Sequence, residues 1–220
     1  MNLEALKTTV RRRLDDLQAP YLWSEDDLTE YANDAEREAC RRARLIVDST
    51  TAEIVSINLS ASTATYDLDQ RILFIKRVKV ADISTPLRRV SFKDLDRGAP
   101  GWEDETGDPQ AYVPDMDEDK LRVYPIPTTA ATATLTVIRL PLEDMADDAD
   151  TPEIKPRYHD SLTYWMEYRA YSKQDAETKN DQKAMKALAM FEQEFGKKSS
   201  AIDEAWIARE HGYTEEEGVY

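Results

Sequence analysis

The spacing of apolar residues changes twice along this chain of 220 residues, and those changes constrain its fold more than any single motif. Near the N-terminus Leu3, Leu6, Val10, Leu14 and Leu17 recur every three or four positions, the period of an amphipathic helix. Asn2 is placed to cap it and Pro20 to stop it, which predicts a first helix over residues 3–17. Ser24 precedes an acidic first turn, with Trp23 and Leu28 at the two positions of a hydrophobic staple, so a second helix starts there. Its stripe of Leu28, Tyr31, Ala32, Ala35, Ala39, Ala43 and Ile46 has an alanine-lined middle that lets another helix approach closely, from the same chain or a neighbour.

From about residue 50 the period becomes two: Val55, Ile57 and Leu59 alternate with Ser56 and Asn58, and Leu135 and Val137 with Thr134 and Thr136. Thr65 to Leu68, Ile72 to Val80 and Leu121 to Tyr124 supply further strands, and the short turn-rich spacers predict antiparallel hairpins in a meander. After Pro156 the helical period returns. Leu162, Trp165, Met166 and Arg169 form one face, while Tyr164, Tyr168 and Tyr171 form another, the pattern of a helix buried between two partners. A last strong helix is predicted over residues 175–195, with Gly196 as its stop; residues 200–211 read as weakly helical. The order predicts an α+β fold: a helical bundle formed by the N- and C-terminal helices with an inserted antiparallel β module. Residues 1–48 and 156–211 form the bundle, 49–140 the β module with a long acidic loop at 94–119, 141–155 an acidic connector and 212–220 a flexible tail.

Charge narrows the functional classes. The net charge is −15. Residues 94–119 hold ten acids against one base and residues 141–155 six against one, so these two segments account for nearly all of it. A free-standing nucleic-acid binder is disfavoured, because phosphate neutralisation needs an excess of Lys and Arg. The connector has neither the ligand order of a calcium loop nor, with two histidines in the chain, a His-based metal site, so no metal or cofactor is expected. Glycine-rich phosphate motifs and the Gly-x-Ser-x-Gly elbow are missing, and no catalytic residue is assigned. No apolar run is long enough to span a bilayer. Cys40 and His159 read as packing residues, and Arg41, Arg42 and Arg44 as partners of a helix C-terminus, with Glu38 placed to pair with Arg42. A carboxylate-dependent hydrolase and an acidic DNA mimic stand as alternatives to a structural role.

Several strings resemble a known family. Tyr31-Ala32-Asn33-Asp34-Ala35 with Glu38-Ala39-Cys40-Arg41-Arg42-Ala43, then Tyr66-Asp67-Leu68-Asp69 with Arg71-Ile72, are similar to head-to-tail adaptor proteins of tailed bacteriophages, of the short-tailed-phage head-completion type. Gly101-Trp102, Gly107-Asp108-Pro109, Tyr124-Pro125-Ile126-Pro127, Arg139-Leu140-Pro141, Pro152-Glu153-Ile154 and Tyr158-His159 continue the likeness in order along the chain. The resemblance implies a non-enzymatic virion protein of the neck between head and tail, made in the bacterial cytoplasm. It also implies a dodecameric ring beneath the portal protein that extends the DNA channel towards a tail nozzle or tail tube protein. Double-stranded DNA would pass without sequence-specific binding. Within that frame, Asp144, Asp147, Asp148 and Asp150 are candidates to face the channel and repel phosphate, the alternative being a place outside it. Subunit contacts are expected at Ala35, Ala39, Tyr164, Trp165, Tyr168 and Tyr171, and portal docking at Trp206, Ile207, Tyr213 and Tyr220.

Overall fold

Two side-chain caps fix where the chain first becomes helical. Asn2 accepts the Ala5 N–H at the head of α1 (Leu3–Leu14), and Ser24 and Asp27 form a reciprocal capping box at the head of α2 (Glu25–Ala43). The computed structural model describes residues 1–114, 116–174 and 178–200. Both helices end earlier than their periodicity predicts, because Asp15 (φ 59°) and Arg44 (φ 52°) turn into the left-handed region and return their N–H groups to the last helical carbonyls. Ile46, the last member of the predicted helical stripe, instead opens strand β1 (Ile46–Asp48). Next come α3 (Ala52–Val55), β2 (Ser56–Leu59), β3 (Thr65–Asp67), β4 (Ile72–Val80), β5 (Arg88–Arg89) and α4 (Phe92–Gly98). They are followed by β6 (Thr106–Gly107), β7 (Ala111–Val113), β8 (Lys120–Tyr124), β9 (Ile126–Pro127), β10 (Ala131–Arg139), α5 (His159–Ser172) and α6 (Asp181–Phe195). The last helix starts later than the predicted residue 175, because Asn180 caps it by accepting the Lys183 N–H and residues 178–180 are not helical. Residues 175–177, the weak helix predicted over 200–211 from residue 201 onwards, and the tail lie outside the described residues.

Helices and strands together make the fold α+β. Among the described residues the chain divides into two units: Met1–Ile46 with Leu140–Lys198, and Val47–Arg139 with residues 199–200. In the first, α5 packs against α1, α2 and α6. Leu3, Leu6, Leu28, Leu162, Met166 and Phe191 are completely buried in their shared core. Each large apolar side chain so buried contributes about 1.5–3 kcal/mol. This accounts for much of the two-faced sequence of α5: the helix packs on three helices of its own chain.

In the second unit the nine-residue β10 is the central strand. It pairs antiparallel with β2 on one side and β4 on the other, so that Thr134 stands between Ser56 and Lys79, and β1 also pairs with it. Ala133, Leu135 and Val137 are buried along its inner face. The second sheet runs β3-β8-β7-β5; its β3–β8 and β7–β8 pairs are antiparallel, while the two-residue pairs β5–β7 and β6–β9 are parallel. A simple meander therefore does not describe the module, because β10 returns to strands far upstream. Residues 94–119, expected as a loop, contain most of α4, a 3-10 turn at Trp102–Asp104, and strands β6 and β7. Leu95, Trp102 and Val113 form a small core there, which holds the segment in place despite its lack of period.

Candidate functional site

The acidic connector lies along the helices as a fastened strap. Asn33 of α2 grips Met145 from both sides: its Nδ2 donates to the Met145 carbonyl and its Oδ1 accepts the Met145 N–H, each at 2.9 Å. Met145 and Ile154 enter the helical core. The Ile154 N–H donates to Glu36 Oε1 at 3.1 Å, and the His159 Nε2 lies 2.8 Å from the Ile154 carbonyl oxygen. From α1, the N–H groups of Leu3 and Glu4 donate to the carbonyls of Asp150 and Asp148.

These ties decide the state of the acids. Asp144 pairs with Arg37 at 2.5 Å and Asp148 with Lys7 at 2.9 Å. Asp150 caps a turn by accepting the N–H groups of Asp147 and Ala146, which hold its carboxyl below the usual range. Asp147 is exposed. Of the four carboxylates read as channel-facing, two are thus engaged by cations of the same unit and one by backbone. Glu36 behaves oppositely. Burial pushes its pKa up to about 7, partly offset by the N–H groups of Ile154 and Glu153 and reinforced by the charges of Glu153 and Asp144. It is 2% exposed.

A second cluster joins α1 to α2. Arg11 donates to Asp16, to the Trp23 carbonyl and to Glu25, and its guanidinium lies 4.0 Å from the centre of the Tyr21 ring. Asp16 in turn accepts the Leu22 N–H. The Trp23 indole N–H donates to the Ala170 carbonyl at 3.1 Å and tethers α5 to the same joint.

The residues read as subunit contacts are occupied at home. Ala35 and Ala39 have no exposed surface, so the close approach that alanine permits serves the chain's own core. Tyr171 is buried edge-on to Trp23. Tyr164, Trp165 and Tyr168 are half-buried: Arg13 lies over Tyr164, while Trp165 packs 5.0 Å from Phe191 and 5.1 Å from Tyr168 with Arg42 over its ring. Arg42 also binds Glu38 at 2.8 Å, as their spacing predicted. Trp206, Ile207, Tyr213 and Tyr220 lie outside the described residues. Cys40 is buried. Among the described residues no three His, Cys, Asp or Glu side chains are grouped to hold a metal ion, and no helix is long and apolar enough to cross a membrane.

In the strand unit the main polar feature is the buried pair Asp48–Arg139, 2.7 Å apart with both side chains 4% exposed. Burial raises the Asp48 pKa, but hydrogen bonds from Thr51, Thr50 and Arg139 outweigh it and hold the carboxyl far below the usual range. Nearby, Asp69 and Arg71 form a two-point pair at 2.7–2.8 Å. Both carboxylates also accept backbone N–H groups, Asp48 from Thr50 and Thr51 and Asp69 from Arg71, so each pair clamps the backbone beside it.

The SU10 adaptor protein family model matches residues 1–212. The chain belongs to the SU10 adaptor protein family. It is thus a bacteriophage structural protein whose partners are other phage structural proteins. No curated protein matches it. The strings that carried the likeness to adaptors coincide with polar ties of the fold. Asn33 grips the strap, the Tyr66 hydroxyl donates to the Thr63 carbonyl, Trp102 donates to Asp96, Arg139 pairs with Asp48 and His159 meets Ile154. Gly101 takes φ 82° to start the turn that buries Trp102. Sequence reasoning missed Lys7, Arg11, Asn33, Glu36 and Arg37 as a group. The available signal was a charged or amide residue on, or next to, an apolar stripe: Lys7 one turn after Leu3, and Glu36 one turn after Ala32.

Proposed function

We propose that this adaptor acts without catalysis, as a ring of twelve copies docked beneath the portal protein in the neck of the virion. The ring continues the DNA channel towards a tail nozzle or tail tube protein, and double-stranded DNA passes through it unread. Family membership over residues 1–212 carries this reading and favours it over the hydrolase and the DNA mimic. The strap supports a passive role. Asp144, Asp148 and Asp150 are held by Arg37, Lys7 and backbone, and with the exposed Asp147 they give phosphate little to grip if the strap lines the channel. Trp206, Ile207, Tyr213 and Tyr220 are the proposed portal anchors.

The test is to mix the purified chain with the portal ring of the same phage and examine it by negative-stain electron microscopy. An added ring of matching symmetry is expected, and a chain ended at residue 200 should no longer dock. A folded full-length protein that leaves the portal bare at micromolar concentration refutes the adaptor geometry.

A further inference from the structure

The outer face of the sheet around β10 gathers cations with no acid among them. Across the ladder Thr136 faces Arg77 and Thr134 faces Lys79; on the other side Thr134 faces Ser56 and Thr132 faces Asn58. None of β2, β4 or β10 contains an acidic residue. The register shifts between Thr136 and Val137, where β10 skips from Arg77 to Ile75 and leaves Lys76 as the extra residue of a β-bulge. That bulge breaks the alternation of β4, so two successive cations, Lys76 and Arg77, are both exposed. Among the described residues neither has an ion pair, whereas Lys7, Arg11, Arg37, Arg42 and Arg139 are all paired.

The same unit carries the complementary charge. Between Gly98 and Asp119 the sequence has no Lys or Arg, and Asp117, Glu118 and Asp119 stand exposed at the turn into β8. We infer that the β2–β10–β4 face receives the acidic β7–β8 turn of a second copy of this chain. The inference rests on the ring reading above and gives it a contact. One copy offers a basic face and the next an acidic turn, a head-to-tail interface that repeats until it closes. Threonine, serine and asparagine side chains on the face can donate to carboxylates beside the cations. A second copy carries −15 as well, but it offers its acid as one short exposed turn that two cations can match. Duplex DNA would bring an unbroken row of phosphates against the acids elsewhere on the chain, which favours a like copy as the occupant. The face offers no exposed aromatic anchor on its strands, so each contact is weak and salt-sensitive, and closure of the ring is what adds them together.

Sedimentation velocity of the full chain at high micromolar concentration, in low and high salt, tests this. Wild type should self-associate in low salt and dissociate as salt rises. Lys76→Glu/Arg77→Glu and, separately, Asp117→Lys/Glu118→Lys should each weaken association at least tenfold. An equimolar mixture of the two variants should restore it, because opposite faces then meet again. Unchanged association in either variant, or no rescue on mixing, overturns the inference. So does a wild type that stays monomeric in low salt, or a duplex DNA that binds wild type but not Lys76→Glu/Arg77→Glu while association is unaltered. The adaptor reading itself stands or falls separately, on docking to the portal.

Discussion

The two units treat charge in opposite ways. In the helical unit, cations bridge one element to another: Lys7 and Arg37 hold the strap, Arg11 holds the α1–α2 joint, and Arg13 and Arg169 reach Glu167 and Glu30. In the strand unit the Asp48–Arg139 pair is sealed inside, while Lys76 and Arg77 stay in solvent on an open face. A helix presents side chains all round its axis, so a bundle with an acidic strap finds partners for its charges within itself. A sheet has only two faces, and once one is buried the other is left to the outside. The helical unit therefore uses its cations for internal ties, and among the described residues the strand unit leaves Lys76 and Arg77 outside any such tie.

The sharpest break of this contrast is Asp48→Ala. It strands a buried guanidinium and should cost about 3–5 kcal/mol in denaturant unfolding. Replacing both partners with apolar residues, Asp48→Leu with Arg139→Met, should recover most of that loss. The carboxyl is depressed in the folded state, so its contribution is present above the ordinary carboxylate range and is lost as pH falls below about 4. If the single change costs less than about 1 kcal/mol, the pair is not what seals the sheet.

Arg11→Ala comes next, at about 2–4 kcal/mol, since it removes contacts to Asp16, Trp23 and Glu25 and leaves the buried Asp16 carboxylate without its counter-charge. Arg11→Lys should recover little, because an ammonium cannot serve three acceptors in a planar fork. Thermal unfolding of the full chain checks both, and equal stability of the Lys variant would make the site a simple charge rather than a clamp.

Glu36 sharpens the comparison within the helical unit, as a buried acid with no cation bound to it among the described residues. Its pKa of about 7 in the folded protein exceeds its ordinary 4.5, so the native state holds the proton more tightly than the unfolded chain between those values. Stability should then fall as pH rises from about 4.5 to 7 and level off above. Glu36→Gln keeps an acceptor for the Ile154 N–H without the charge. It should flatten that slope and make the protein more stable than wild type at pH 8 by about 1–3 kcal/mol. A variant that retains the slope would assign the pH dependence elsewhere.

How much of this was legible depended on whether a signal was periodic. The helices α1, α2, α5 and α6, the long strands β4 and β10 and the Gly196 stop follow from spacing and caps that a single segment contains, whereas the short α3 and α4 do not. The parallel two-residue pairs, the small core around Trp102 and the strap's attachments do not, since each joins residues remote in sequence with no repeat to announce them. Buried charges were written into the pattern all the same. Arg139 occupies the next inward place after Ala133, Leu135 and Val137, and Asp48 the inward place after Ile46. A charge in an apolar series predicts a buried counter-charge, though not which one. The alanine stripe and the aromatic α5 show the reverse limit: their composition says that something packs closely there, and only the fold says that the neighbour belongs to the same chain.

The smallest expected effect separates tethering from stability. Arg37 and Asp144 are 39% and 59% exposed at their side chains, so although they sit 2.5 Å apart, water screens the pair. Arg37→Ala or Asp144→Ala should each cost under about 1 kcal/mol of global stability. The strap nevertheless loses one of its outer ties, while Asn33 and Glu36 still hold its inner edge. Hydrogen exchange should therefore show faster opening near Asp144 in these variants, with little change at the Met145 N–H that donates to Asn33. Asn33→Ala should do the converse and release Met145. If Arg37→Ala frees both residues equally, the strap moves as one piece and its acids are fixed by the surface pair. If only the outer residues respond, the buried amide sets the array, and surface charge merely decorates it.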